Sequence, residues 1–189
     1  MLSREYKGIM ADAKKLKVAF KEGGKRGVEL EGSADLSGIQ YFNVAIDSAE
    51  GDVELLKEVM RGMNLEVDED AEERKGGSGK IGKLILSAAD HQLGLMCYIP
   101  EAKKDELEPT AWMNAVLESF EGGSIVSSDE STACAVIPAN PDKSLFPLKM
   151  RDEAIAVSIK FLQGKELFPM LADDDDDDEY VYGDDDFDV

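Results

Sequence analysis

The feature that most constrains this chain is its end. Residues 173–189 carry eleven carboxylates and no base, six of them consecutive aspartates. Such a stretch cannot bury enough apolar area to offset its ordering entropy, so it reads as a disordered acidic tail spanning residues 171–189. The fold has to be made by the residues before it. They keep 30 acids against 21 bases, a net charge of −9 before the tail and −20 for the whole chain. A body of that sign repels phosphate backbones at long range, so nucleic-acid binding requires a basic patch segregated on one face. Lys14, Lys15, Lys17, Lys21, Lys25 and Arg26 cluster near the first helix and are the only such concentration.

Periodicity divides the body into elements. Leu2, Tyr6, Ile9, Met10, Ala13, Leu16 and Phe20 repeat at helical spacing, which predicts a helix over 1–21, ended by Gly23-Gly24 and Gly27. Residues 32–38 read as a loop, and 39–46 as a buried strand. Asp52 is placed to cap a helix over 53–63. The stretch 66–80 turns acidic and then glycine-rich, the signature of a flexible connection. Residues 83–88 and 92–100 form a hairpin around Ala89-Asp90-His91.

A helix opens at Thr110, with Trp112, Ala115, Val116, Ser119 and Phe120 inward, and stops at Gly122-Gly123. A polar loop holding Ser124, Ser127, Ser128 and Ser131 leads to a strand over 132–137. A last amphipathic helix covers 148–163. The expected fold is α/β in the layered α+β sense, a mixed sheet with helices packed on it and an N-terminal helix. Residues 1–30 form that helix and its connector, and 31–170 the globular domain.

Chemistry-bearing motifs are sparse. Gly77-Ser-Gly-Lys-Ile-Gly82-Lys83 matches a phosphate loop's spacing, but Leu84 stands where a magnesium-binding hydroxyl belongs, and the segment precedes a strand instead of opening a helix. Asp90 and His91 sit at a hairpin tip with no second titratable group near in sequence. His91 is the one histidine, and Cys97 and Cys134 lie in apolar runs with no CxxC spacing, so neither a zinc site nor a disulfide is expected. No catalytic residue, metal or cofactor is read from the sequence. No run is long enough to cross a bilayer, and no signal-peptide core follows Met1, which predicts a cytoplasmic protein.

A resemblance adds a direction. The hairpin Lys83-Leu-Ile-Leu and Leu95-Met-Cys-Tyr-Ile-Pro100 leads to Glu108-Pro-Thr-Ala-Trp112, then Gly122-Gly123, Ala133-Cys134-Ala135 and a closing helix with Arg151-Asp-Glu-Ala-Ile-Ala-Val157 and Phe161. This order resembles the C-terminal domain of alanyl-tRNA synthetase, in its eukaryotic form, over most of residues 1–167. The resemblance implies a tRNA-related recognition module without catalytic groups of its own, either free-standing or part of an alanine–tRNA ligase. It places nucleic-acid contact at Gly122, Gly123 and Ser124, joined by the basic residues Lys14, Lys15, Lys21, Lys25 and Arg26. The family's run of glycines and lysines after the tryptophan helix is here Ser124, Ile125, Val126 and Ser127, and its glutamine after the alanine is Cys134. The expected partner is tRNA or a basic protein. The alternative function is a protein-interaction or chaperone-like module that uses its acidic tail on basic partners.

Overall fold

A computed structural model describes the backbone from Arg4 to Met170 and the side chains from Asp12 onward; the acidic segment 171–189 lies outside the described residues. The fold is α+β: a mixed five-stranded sheet with four α-helices packed on it. In chain order the elements are α1 (Arg4–Ser37), β1 (Tyr41–Ala45), α2 (Val53–Met63), β2 (Gly82–Ala88), β3 (Gln92–Tyr98), α3 (Pro109–Leu117), β4 (Ser124–Ser128), β5 (Thr132–Pro138) and α4 (Pro147–Gly164). The strand order is β1-β2-β3-β5-β4. β1 runs parallel to β2, as a connection through a helix permits, and the other pairs are antiparallel.

Alternation along the strands splits the core in two. Leu84, Leu86, Leu93, Leu95, Cys97, Ala133, Ala135 and Ile137 face α3 and α4, where Trp112 and Met113 are fully buried. Ile85, Met96 and Cys134 face α2, with Val59 and Met63. Because the side chains of β2 are buried on both faces, its sequence is close to a continuous apolar run. Cys97 and Cys134 are buried free thiols that belong to opposite faces of the sheet. Trp112 is fixed by a relay: its Nε1–H donates to Ser158 Oγ at 2.8 Å, and that hydroxyl donates to Asn43 Oδ1 at 2.6 Å. The relay ties α3 through α4 to edge strand β1.

The sequence reading needs four corrections. The glycines at 23, 24 and 27 do not end the first helix, nor do residues 32–38 form a loop. α1 continues to Ser37, where Gly38, at φ +72°, donates its amide to Ala34 O. The glycines lie where α1 meets α2. A Cβ on Gly23 would stand 2.8 Å from the Val59 carbonyl carbon and nearer still to its oxygen, and one on Gly27 2.6 Å from Met63 O. Gly62 of α2 returns the contact, meeting the Phe20 carbonyl and the Gly24 amide.

The segment 66–80 is no loose connection at its end either. Gly76 N donates to Gly24 O, Gly77 N to Leu65 O and Ser78 N to Met63 O, and Ser78 is buried. The serine-rich stretch after Gly123 is not a loop but strand β4, the sheet's edge beside β5, bulged between Ile125 and Ser127. Ser119 is exposed and Ala115 half-buried, while Met113 takes the inward place on α3. By contrast, Asp52 caps α2 as expected, accepting from Glu54 N at 2.8 Å, and the hairpin, β5 and α4 stand where the periodicity puts them.

Candidate functional site

On α1 the residues packed inward are Ala19, Gly23, Gly27, Leu30 and Ala34, three or four apart. At 100° per residue this seam leaves Lys14, Lys17, Lys21 and Lys25 aligned on another stripe, and all four are exposed. The stripe advances 3, 4 and 4 residues at a time, so the four ammonium groups are strung over about 16 Å of helix. Among the described residues no carboxylate lies within ion-pair distance of any of the four.

Lys15 and Arg26 point off this ridge. Lys15 is tied to Glu50 at 2.6 Å, and the hydrogen bond to that carboxylate, then its charge, hold the ammonium above its ordinary pKa. Arg26 is shared between Glu29 at 3.1 Å and Glu22 at 4.0 Å. Of the basic residues expected to contact nucleic acid, Lys14, Lys21 and Lys25 therefore present free charge and Lys15 and Arg26 do not. Lys17 completes the row.

The glycine pair lies elsewhere. Gly122, at φ +82°, turns the chain from α3 into β4, a conformation in which a side chain is strained. A Cβ on Gly123 would press on Leu117 and Ile137, at 2.9 and 3.2 Å. Both glycines thus have a structural reason of their own. Ser124 opens β4 and is exposed. The strand directions bring Gly122–Ser124 and Lys15 to the same end of the sheet, where a cavity of about 520 Å³ is lined by Lys15, Glu50, Asp52, His91, Val126 and Val136. The hairpin-tip histidine accordingly does have charged neighbours in space, contributed by α1 and by the turn before α2.

A second cluster escaped the sequence reading. Lys83, the last residue of the phosphate-loop-like spacing, is fully buried on β2. Its ammonium donates to Asn64 Oδ1 at 2.6 Å and to Ser78 O at 2.8 Å, and lies 4.6 Å from the centre of the Tyr98 ring. No carboxylate pairs with it among the described residues. Burial pushes its pKa down to about 7. Tyr98, whose hydroxyl donates to Gly79 O at 2.9 Å, has its phenol pKa raised, first by burial and then by Glu101. The signal in the sequence was a lysine beside the apolar run Leu84-Ile-Leu86 of a strand buried on both faces.

Among the described residues no group of three or more His, Cys, Asp or Glu is placed to hold a metal ion, and no helix is long and apolar enough to cross a membrane. Comparison with protein-family models and with curated proteins yields no match.

Proposed function

We propose that this chain is a non-catalytic recognition module for tRNA, of the kind the C-terminal domain of alanyl-tRNA synthetase represents, and that it contacts the phosphate backbone through the lysine ridge of α1. The observation that carries the reading is the ridge itself. In a body of net negative charge, four lysines without an ion-pair partner among the described residues are segregated on one helix face, which is the arrangement an acidic protein needs to bind a polyanion at all. The reading is also supported by the order of elements after α2, with a hairpin, a tryptophan helix, a glycine turn and a closing helix following one another. Phosphate contacts of this type position a nucleic acid without reading its sequence. Identity of the tRNA would then be selected by shape or by a partner domain.

The test is a fluorescence-anisotropy titration of labelled tRNA at about 50 mM salt, with wild type and with the quadruple variant Lys14→Glu, Lys17→Glu, Lys21→Glu, Lys25→Glu. These side chains face solvent, so the fold is expected to survive, and circular dichroism checks it. Affinity should fall by at least tenfold. A variant that binds tRNA as well as wild type removes the ridge, and with it the reading.

A further inference from the structure

The lysine ridge leaves one feature of the molecule without a role: the segment Gly77-Ser-Gly-Lys80 and the buried lysine that follows it. We propose that the cavity between the 64–80 segment and the Tyr98 end of β3 is a binding site for a phosphate group, held by the backbone amides of Gly79 and Lys80, the side chains of Lys80 and Asn64, and the buried Lys83 charge behind them. This site is separate from the ridge and does not depend on it.

The cavity measures about 540 Å³ and is lined by Asn64, Gly77, Gly79, Lys80 and Tyr98, with Glu31 and Glu66. An anion site needs donors that the protein has not already used. The amides of Gly76, Gly77 and Ser78 are committed to the carbonyls of Gly24, Leu65 and Met63, so the segment does not cradle a phosphate as a phosphate loop does. The next two amides, Gly79 and Lys80, donate to no protein acceptor among the described residues. Asn64 turns its carbonyl oxygen to Lys83, which fixes its orientation and leaves its NH2 directed away from the ammonium, with no protein acceptor among the described residues.

Lys83 supplies the second, independent argument. It spends two protons on neutral oxygens and has no counter-ion among the described residues, an arrangement that is costly for a buried charge. Its neighbours Asn64 and Tyr98 are themselves walls of the cavity, so an anion there would sit one side chain away and provide the missing charge. Of the two carboxylates in the lining, Glu31 is neutralised by Arg74 at 2.8 Å. Glu66 opposes the anion and keeps the expected affinity modest. The titratable groups facing Lys83 or the cavity are then Tyr98 from β3, Lys80 and Glu66 from the connecting segment and Glu31 from α1. The phosphate could belong to a free phosphorylated small molecule or to an RNA, and the chemistry of the contacts is the same for both.

The experiment is an NMR titration of the full chain with inorganic phosphate, with sulfate and with a short RNA oligonucleotide, joined by calorimetry of sulfate binding in two buffers of different ionisation enthalpy. Phosphate and sulfate should give saturable shifts centred on Asn64, Gly79, Lys80, Lys83 and Tyr98. Because an anion stabilises the charged lysine, sulfate binding at about pH 8 should take up a proton. Lys83→Met should weaken binding at least tenfold, and the solvent-exposed Lys80→Met serves where the first variant fails to fold, with at least a threefold loss. Lys21→Met on the ridge should leave phosphate binding unchanged. Shifts of the same amides by the oligonucleotide assign the site to RNA, and their restriction to the small anions assigns it to a free ligand. The proposal is overturned by the absence of saturable shifts at these amides, by shifts confined to α1, or by binding without proton uptake.

Discussion

Replacing Gly23 by alanine should destabilise the protein, whereas the same change at Gly32, nine residues along the same helix, should stabilise it. In an isolated helix both changes would gain roughly 0.5–1 kcal/mol, because glycine loses more backbone freedom than alanine on folding. At Gly32 nothing lies within 4 Å of the added carbon, so that gain should appear undiminished. At Gly23 the added carbon would stand 2.8 Å from the Val59 carbonyl carbon and 3.0 Å from its Cα. Ordinary carbon–carbon contact begins near 3.5 Å, so the two helix backbones would have to separate by roughly 0.7 Å or more. The obstacle is backbone, with no flexible side chain to swing away. Overpacking of this kind costs about 1–3 kcal/mol, and the separation loosens Ala19, Leu30, Val59 and Met63 along the same seam. The net expectation is a loss of about 1–2 kcal/mol for Gly23→Ala, or roughly 2–8 °C in Tm for a chain of this size. Urea denaturation followed by circular dichroism measures both variants, with the shift in midpoint at constant m-value as the readout. If Gly23→Ala proved neutral or stabilising, the close approach of α1 to the Val59 backbone of α2 would be wrong.

Three further outcomes follow from the same structure. Ser158→Ala should cost about 1–3 kcal/mol in urea denaturation, because it strands the buried Trp112 Nε1–H and the Asn43 oxygen; an unchanged midpoint would show that the relay is replaced by water or is not formed. Lys83, held at a pKa of about 7 when folded, returns to about 10.4 when unfolded, so between those values only the unfolded chain holds the proton and the Lys83 contribution to stability rises with pH. The slope is up to about 1.4 kcal/mol per pH unit over pH 7–10 and flat below pH 7. Subtracting the curve of Lys83→Met isolates it, and parallel curves would refute it. Finally, deletion of residues 172–189 should strengthen tRNA binding at low salt. Pro169 and Ser37 line one cavity, so the last described residues lie beside the C-terminal end of α1. Nineteen residues extend to as much as about 65 Å, against about 35 Å of helix from Ser37 back to Lys14. Equal affinities with and without the tail would mean that it does not compete.

What the sequence made legible is what hydrophobic periodicity can carry. The Asp52-capped helix, the tryptophan helix and α4 bury one regular face, the hairpin about Asp90-His91 and β5 are apolar runs buried on both, and these and the strand within 39–46 are found in place. β4 was not legible because it lies at the sheet's edge with most of its side chains exposed, so it shows no alternation. The glycines of α1 misled because a glycine that admits a neighbouring backbone and one that ends a helix look alike until the neighbour is known. The anchoring of Gly76, Gly77 and Ser78 was hidden for a related reason, since glycine-rich composition describes freedom in the unfolded chain and says nothing of the carbonyls that await it. Of the expected nucleic-acid contacts, the lysine cluster was readable as a concentration of charge. Its division into a free ridge and two ion-paired residues depended on Glu50, whose reach only the fold defines, and on Glu22 and Glu29, which reach Arg26 because α1 continues past Gly23. Lys83 was masked by its place in a phosphate-loop-like spacing, while its burial comes from β2, of which it is the second residue.

The most direct test of the ridge as a polyanion contact is the salt dependence of tRNA affinity. Four phosphate contacts predict a slope of roughly −3 in log K against log salt, a loss of about fifty- to a hundredfold between about 50 and 200 mM. Neutralising the row by Lys14→Gln, Lys17→Gln, Lys21→Gln and Lys25→Gln should bring that slope close to zero. A slope that stays near −3 in the neutralised variant, or is near zero in wild type, would contradict the account.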